Sequence, residues 1–316
     1  MLKKVKVIAM SLLVSVGVFG CSKSSTKVED DKFSVCLILD EGGVLDQSFN
    51  QSAWESCLEA KDELGIEATY IESKSEGEYL QNVEIAVDKD VDLVVGVGYK
   101  LANAIKEAAV SYPDQKFAIV DGTYDEIPKN IQPILFDEEQ AGYCVGLVAS
   151  QMTKTNTVGF IGGMDIPSVS KFLVGYEKAI KEVNPNMKVL SQYANSFTDA
   201  SKGRAMAQQM ISQNADIIFT CGGGVNVGVW EACNENGLKS IGVDMPSNQF
   251  APDVIITSAL KNVGNGVKST IKDTIDGNFK GGCEVRYDIT NGGVGYEITS
   301  HLSDEVIEFV ENNLNK

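Results

Sequence analysis

The sequence predicts an α/β protein with two doubly wound lobes of parallel sheet. Short apolar runs of strand length alternate with segments whose apolar residues recur at helical spacing. The order helix, strand, helix occurs in residues 79–108 and again in residues 202–232. Parallel strands need a crossover connection, which the helices supply, and two copies therefore predict two lobes. The roughly 285 residues that follow the N-terminal segments also exceed one typical domain.

The N-terminus has the pattern of an export signal. Three lysines precede an apolar run over residues 7–19, which is too short to span a membrane. The residues before Cys21 and the polar tract after it resemble a lipobox, in which Cys21 becomes the lipidated first residue. We therefore predict a signal peptide over residues 1–20, followed by the lipidated cysteine and a flexible tether over residues 21–32. A plain secretory signal with an incidental Cys21 is the alternative.

The charge balance argues against anionic partners. Removal of residues 1–20 would leave 24 basic and 44 acidic residues, a net charge of about −20. A charge of this sign opposes binding to nucleic acid and to anionic lipid, and it favours solubility. The sequence contains no basic arm and no zinc-finger spacing. We predict a monomer with no nucleic-acid partner.

The cysteines beyond Cys21 lie mostly in apolar strand or helix patterns and include no C-x-x-C pair. They are Cys36, Cys57, Cys144, Cys221, Cys233 and Cys283. In a large exported domain this pattern predicts small buried side chains rather than a disulfide framework or a metal site. A single histidine excludes metal sites built on paired histidines. We predict neither a metal nor a cofactor.

The first strand leads into a loop where a ligand would be expected. Residues 35–39 form a short apolar run that ends at Asp40 and is followed by two glycines, and a helical pattern begins near Asn50. In open parallel sheets, ligands bind beyond the carboxyl ends of the strands. Asp40 and Phe49 are therefore candidate ligand residues. The alternative is that Asp40 caps the loop and Phe49 caps the core.

This stretch resembles the opening motif of the basic membrane protein family, the nucleoside-binding lipoproteins that serve bacterial ABC importers. The family motif is a hydrophobic strand, then T-D-x-G-G-x-x-D-x-S-F-N-Q, then a helix with a tryptophan near its start. The matching residues are Asp40, Gly42, Gly43, Asp46, Ser48, Phe49, Asn50, Gln51 and Trp54. Leu39 stands where the family often has threonine. The resemblance implies ligand contacts for Asp40, Phe49 and Asn50.

The resemblance also implies the type I periplasmic-binding-protein fold, whose two lobes are joined by three hinge crossovers. We place the crossings near residues 127–136, 245–254 and 280–284, which are rich in Pro, Asn, Asp or Gly. The first lobe would then comprise residues 33–126 and 250–281. The second lobe would comprise residues 127–249 and 282–316.

Two aspartates end equivalent strands in the two copies. Asp121 follows the run FAIV, and Asp244 follows IGV. A carboxylate in this position could bind a ligand or cap the next helix. The resemblance implies that Asp121 faces the base side of a nucleoside and Asp244 the ribose.

An aromatic residue of the second copy is placed to oppose Phe49. Phe197 follows an apolar strand and precedes a helix-start signal, so the duplication puts it at a sheet edge that faces the cleft. Two rings, one from each lobe, are a simple device for clamping a flat heterocycle. The resemblance implies the same roles for Phe49 and Phe197.

The glycine-rich segment 221–229 lacks the Gly-Lys-Ser/Thr ending of a phosphate-binding loop. Its glycines are expected to let the backbone approach a ligand closely, and the resemblance implies contacts for Gly222 and Val225. Lys261 follows a strand that ends T-S-x-x-K, as in the family. The resemblance implies a hydrogen bond from Lys261 to ribose, where position alone would favour a surface lysine.

No catalytic set is evident. His301, the only histidine, lies in a polar segment, and no G-x-S-x-G elbow occurs. We predict a binding protein rather than an enzyme, lipid-anchored on the extracytoplasmic face of the cell membrane. It would capture a nucleoside, with a purine favoured, for the permease subunits of an ABC transporter. The alternatives are a riboflavin or sugar receptor on the same scaffold and a secreted nucleoside hydrolase.

Overall fold

Residues 32–314 fold into two six-stranded sheets flanked by helices. A computed structural model describes residues 32–314. The predicted signal peptide, Cys21 and the tether up to residue 31 lie outside the described residues. Within residues 32–314, no helix combines the length and the apolar character needed to cross a membrane.

The strands and helices alternate along the chain. The strands are β1 (Ser34–Leu39), β2 (Glu67–Glu72), β3 (Leu93–Val97), β4 (Lys116–Val120), β5 (Ile131–Phe136), β6 (Thr157–Gly162), β7 (Lys188–Tyr193), β8 (Ile217–Cys221), β9 (Lys239–Asp244), β10 (Ile255–Lys261), β11 (Val285–Tyr287) and β12 (Val294–Tyr296). The helices are α1 (Phe49–Leu64), α2 (Tyr79–Val87), α3 (Ala102–Ser111), α4 (Glu138–Met152), α5 (Pro167–Val183), α6 (Ala200–Ser212), α7 (Val225–Glu235), α8 (Val263–Ile275) and α9 (Asp304–Leu314).

The two sheets have equivalent strand orders, which confirms the predicted pair of doubly wound lobes. The first sheet has the order β11-β5-β4-β3-β1-β2, and the second has the order β12-β10-β9-β8-β6-β7. Neighbouring strands are parallel, except that β12 runs antiparallel to β10. Every residue of β3 and of β8 is buried, as expected for central strands covered by helices on both faces.

Strand pairing shifts the expected lobe boundaries. The predicted boundaries put β5 in the second lobe and β10 in the first, whereas β5 pairs with β4 of the first sheet and β10 pairs with β9 of the second. The third crossing follows Tyr287, the last residue of β11, rather than lying at 280–284. The polar loops before β5 and β10 therefore connect strands within one lobe. Loop composition alone does not reveal which strand the next segment will pair with.

The chain thus changes sheets three times within residues 32–314. The first change follows β5, after which α4 packs on α5 and on β10 of the second lobe. The second follows β10, after which α8 returns to pack on α1 of the first lobe. The third lies between β11 and β12. The six cysteines within residues 32–314 are free thiols, with Cys283 exposed and the other five buried as predicted.

Close packing of α4 on α5 depends on glycines. A Cβ atom on Gly142 would lie 2.1 Å from the carbonyl oxygen of Phe172, and one on Gly175 would lie 1.9 Å from that of Glu139. The obstructing atoms belong to the backbone, so they cannot move aside as a flexible side chain would. The two helices can approach this closely only because these positions carry no side chain.

We expect Gly175→Ala to destabilise the fold. Overpacking of this kind costs on the order of 1–3 kcal/mol, which should lower the midpoint of urea unfolding followed by circular dichroism. Gly295→Ala in β12 is the matched control, because no atom lies within 4 Å of its Cβ position. Equal midpoints for the two variants would contradict this account of the helix contact.

Candidate functional site

A cavity lies between the lobes, at the carboxyl ends of the parallel strands. Eight of the nine predicted ligand residues line it, and they come from both lobes. They are Asp40, Phe49, Asn50 and Asp121 from the first lobe, and Phe197, Gly222, Asp244 and Lys261 from the second. Strand-end loops meet at one edge of each sheet, so residues far apart in sequence converge there.

Val225 does not line the cavity. It is the first residue of α7 and is fully buried in the core of the second lobe. Its carbonyl oxygen lies 2.2 Å from the position that a Cβ atom on Gly203 would occupy. Val225 therefore packs α7 against α6 and has no surface directed at a ligand.

The first lobe offers hydrogen-bond acceptors at one corner of the cavity. One carboxylate oxygen of Asp40 accepts bonds from the side chain of Asn50 at 2.8 Å and from the backbone N–H of Gly42 at 3.0 Å. The amide oxygen of Asn50 is buried and has no hydrogen-bond partner within residues 32–314. Burial raises the pKa of Asp40, although the bond from Asn50 opposes this shift. A ligand in this corner must donate hydrogen bonds.

The loop that carries this corner is held by a buried carboxylate. Asp46 accepts bonds from the backbone N–H groups of Ser48 at 3.0 Å, Asn50 at 2.9 Å and Gln51 at 3.1 Å. Asn50 and Gln51 belong to the first turn of α1, whose N–H groups lack partners within the helix, and Ser48 directly precedes that turn. Asp46 thereby fixes the start of α1 and with it the side chains of Phe49 and Asn50.

The strand-end aspartates share an unusual backbone conformation. Asp121 has φ of 62° and Asp244 has φ of 66°, both in the left-handed region. Aspartate adopts this region more readily than most residues with a Cβ atom. The conformation turns the chain sharply as each strand ends, and both carboxylates line the cavity.

Lys261 connects the two lobes at the wall of the cavity. Its ammonium donates to Asp121 at 2.6 Å and to Glu138 at 2.9 Å, and all three side chains are nearly inaccessible to solvent. Burial alone would lower the pKa of Lys261, but the charges of Asp121 and Glu138 raise it above its ordinary value. Lys261 therefore stays charged at neutral pH. The second oxygen of Asp121 is buried without a hydrogen-bond partner in the described chain.

A second direct contact crosses the cleft. The hydroxyl of Ser48, from the first lobe, donates to the carboxylate of Asp244 in the second lobe. Burial raises the pKa of Asp244 to about 7, with Lys261 and Ser48 acting in the opposite direction. Burial likewise raises the pKa of Asp121 to about 6, against the attraction of Lys261. Asp121 and Asp244 therefore titrate well above the usual range of aspartate.

The two predicted rings line the same cavity. Phe49 is the first residue of α1, and its ring centroid lies 5.3 Å from the ammonium nitrogen of Lys261. The ring of Phe197 rests on Gly163, where a Cβ atom would lie 2.4 Å from it. The backbone N–H of Gly224 donates to the carbonyl oxygen of Phe197 at 2.8 Å. The glycine-rich loop therefore supports Phe197, in addition to lining the cavity through Gly222.

Several cavity residues were not identified from the sequence. They include Gly98, Tyr99, Ile166, Ser168, Val169, Phe172 and Cys221. Tyr99 follows β3, and Ser168 follows β6 in the first turn of α5. Both occupy the same kind of strand-end position as the predicted residues, so the duplicated pattern contained a signal for them.

Comparison with known proteins assigns the chain to a family. The family model described as Bmp, ABC transporter substrate-binding protein PnrA-like, matches residues 33–316. The chain belongs to this family. Its membership confirms the resemblance seen in the opening motif, and it confirms the prediction of a binding protein rather than an enzyme. A substrate-binding protein of an ABC transporter implies a ligand and permease subunits as partners.

Individual relatives of this Bmp family protein match over most of its length. A CD4+ T-cell-stimulating antigen of Listeria innocua is 37% identical and covers 98% of this chain and 95% of its own. The ABC transporter nucleoside-binding protein BmpA of Lactococcus lactis is 35% identical, with 97% and 95% covered. A lipoprotein of Pyrococcus abyssi is 36% identical, with 90% and 74% covered.

A solved structure supports the fold. The solute-binding protein of an ABC transporter system from Aeropyrum pernix has a TM-score of 0.79 and 27% sequence identity, covering 90% of this chain and 86% of its own. The likeness extends over both lobes, in agreement with the predicted periplasmic-binding-protein fold.

The raised pKa of Asp244 predicts that stability falls as the pH rises. Because unfolding returns the pKa from about 7 to an ordinary value near 4, the folded protein holds an extra proton between these pH values. This contribution to the free energy of unfolding is complete below about pH 4 and is lost as the pH passes 7. Asp244→Asn should reduce the loss of stability between about pH 4 and pH 7. Asparagine is suitable for this test because it tolerates the positive φ.

The measurement is the thermal unfolding midpoint at pH 5 and at pH 8. Asp62→Asn, on the exposed face of α1, is the control and should keep the wild-type difference between the two pH values. If Asp244→Asn showed the wild-type difference as well, Asp244 would not be the titrating group.

Proposed function

We propose that this protein captures a purine nucleoside in the interlobe cavity and delivers it to the permease of its transporter. The observation that carries the proposal is a cavity lined by aromatic rings from both lobes, with unpartnered buried acceptors among its polar groups. The rings suit a flat heterocycle, whereas the acceptors suit a ligand rich in N–H and O–H donors. A nucleoside combines both properties.

The base would lie between Phe49 and Phe197. Any purine presents two π-faces, and stacking of a base on an aromatic side chain contributes about 1–3 kcal/mol. The corner formed by Asp40 and Asn50 would accept hydrogen bonds from N–H groups at the edge of the base. The free amide oxygen of Asn50 matters most, because a buried acceptor without a partner costs about 1–3 kcal/mol in the absence of ligand.

The ribose would lie near Asp244 and Lys261. Asp244 offers a carboxylate and Lys261 offers an N–H donor, a combination that matches hydroxyl groups, which both donate and accept. The 2.6 Å contact between Asp121 and Lys261 favours placing Asp121 on the same hydroxyl groups, in contrast to the base side implied by the family resemblance. The unpartnered oxygen of Asp121 would then accept one of them.

The protein would act from the extracytoplasmic face of the membrane, held there by a lipid on Cys21. The lipobox pattern and the lipoprotein from Pyrococcus abyssi support this part of the proposal. The nucleoside-binding relative from Lactococcus lactis supports the ligand class. Binding would favour the closed arrangement of the lobes by as much as the ligand prefers that arrangement.

A thermal-shift screen tests the ligand class. Purine nucleosides should raise the unfolding temperature of the mature domain more than pyrimidine nucleosides, pentoses or riboflavin do, because only they combine a large stacking face with ribose. A larger shift with riboflavin or with a pentose would replace the nucleoside proposal with the corresponding receptor.

Truncation of the ribose contacts should discriminate between nucleosides and free bases. Asp244→Ala and Lys261→Ala should each weaken nucleoside binding by roughly tenfold or more, with a much smaller effect on the free base. Calorimetry with both ligands measures the ratio, and Lys272→Ala, an exposed lysine paired with Asp276, is the control. Equal losses for base and nucleoside would refute the ribose assignment.

Removal of one ring should weaken binding without unfolding the protein. We expect Phe197→Ala to reduce nucleoside affinity by about tenfold to a hundredfold, while the circular dichroism spectrum stays unchanged because Phe197 is only half-buried. Phe250→Ala is the matched control, since its half-buried ring stacks on Trp230 outside the cavity. Unchanged affinity in the Phe197 variant would exclude stacking on this ring.

A further inference from the structure

Glu138 is a buried acidic residue behind the cavity wall. Its side chain is 3% exposed, and it begins α4 directly after the first crossing between the sheets. One carboxylate oxygen accepts from Lys261 at 2.9 Å, and the other lies 3.4 Å from the ammonium of the half-exposed Lys171. Glu138 is not among the residues that line the cavity. Its direct contact with a residue of the cavity wall is the hydrogen bond from Lys261.

The ammonium of Lys261 has three N–H donors. Asp121 and Glu138 each accept one, at 2.6 and 2.9 Å. The rings of Phe49 and Phe136 flank the nitrogen, with centroids at 5.3 and 5.4 Å. With two donors engaged by carboxylates and two sides covered by rings, the third donor remains for a ligand.

The two carboxylates differ in the lobe to which they belong. Glu138 lies on α4, which packs on β10, the strand that ends with Lys261, so this ion pair lies within the second lobe. Asp121 follows β4 of the first lobe. Separation of the lobes would remove Asp121 from Lys261 but would leave Glu138 in place. An unpaired charge in an apolar setting is costly, and Glu138 prevents that cost when the cleft opens.

We propose that Glu138 is a positioning residue for the ligand: it holds Lys261 at the cavity wall in the open and the closed protein. Lys261 is then already in the rotamer that binds the ligand hydroxyl groups. This favours affinity, because fixing a long side chain on binding costs free energy. Glu138 and Asp121 each accept one hydrogen bond from the ammonium. The second oxygen of Asp121 is then available to the ligand. This inference rests on the proposed assignment of Lys261 to ribose.

The test compares E138Q with E138D and with E139Q. Glutamine keeps the shape of Glu138 and removes its charge, and aspartate keeps the charge. Glu139 is the adjacent residue, but its side chain is 44% exposed and pairs with Lys178 at 3.8 Å. Calorimetry with a purine nucleoside and with its free base gives the ratio of the two affinities for each variant.

We expect E138Q to weaken nucleoside binding by about tenfold and base binding by less than about twofold. E138D should recover a large part of the nucleoside affinity, and E139Q should match the wild type. A purely structural role for Glu138 would instead lower both affinities together or lower the unfolding temperature alone. Either of these results would overturn the proposal.

A second measurement needs no ligand. A charged lysine that is buried and paired exchanges its ammonium protons slowly, and it can be observed in ¹⁵N–¹H spectra of the lysine side chains. The signal of Lys261, assigned by its loss in Lys261→Arg, should move or disappear in E138Q and stay in place in E139Q. An unchanged signal in E138Q would show that Glu138 does not hold Lys261.

The two measurements separate this inference from the proposed function. A wild-type protein that binds no purine nucleoside would refute the nucleoside proposal, whereas the ammonium spectra would still decide the role of Glu138. If the nucleoside binds and E138Q leaves both the affinity ratio and the spectrum unchanged, only the positioning role fails.

Discussion

The site depends on keeping an ammonium group charged where water is excluded. Lys261 lies at the meeting point of the two lobes, and its charge is stable there because two carboxylates accept hydrogen bonds from it. The fold makes this possible, since parallel strands end at one edge of each sheet and the chain crosses between the sheets beside that edge. The two lobes are thereby joined at the cavity by the contact of Lys261 with Asp121 and that of Ser48 with Asp244.

The two lobes repeat one strand order, and small differences between the copies make the site asymmetric. Asp121 and Asp244 end equivalent strands with nearly the same φ. Their partners differ, because Asp121 meets Lys261 from the opposite lobe whereas Asp244 meets the hydroxyl of Ser48. A repeated backbone can therefore present two chemically distinct groups to one ligand.

Much of this could be predicted from the sequence, because strands buried on both faces are continuous apolar runs and the residues that end them fall at the ligand edge. Strand-end positions, the duplication and the family resemblance together predict eight residues that line the cavity. The sequence does not predict the lobe boundaries, because which sheet β5 or β10 joins depends on pairing between segments that are distant in sequence. Glu138 was missed because an acidic residue after Asp137 matches an ordinary helix start. The expected ligand contact of Val225 does not agree with its position in the core of the second lobe, which is where an apolar residue at the start of a helix usually lies.

The left-handed turns at Asp121 and Asp244 restrict how this scaffold can acquire new ligands. Only aspartate, asparagine and glycine adopt that backbone conformation at small cost, so most substitutions there would strain the chain before they altered recognition. Tyr99 and Ser168 line the same cavity with φ in the ordinary negative range. Substitutions that change ligand preference would therefore concentrate at wall positions such as these. Asp121 and Asp244 would be retained, because their backbone conformation tolerates few other residues.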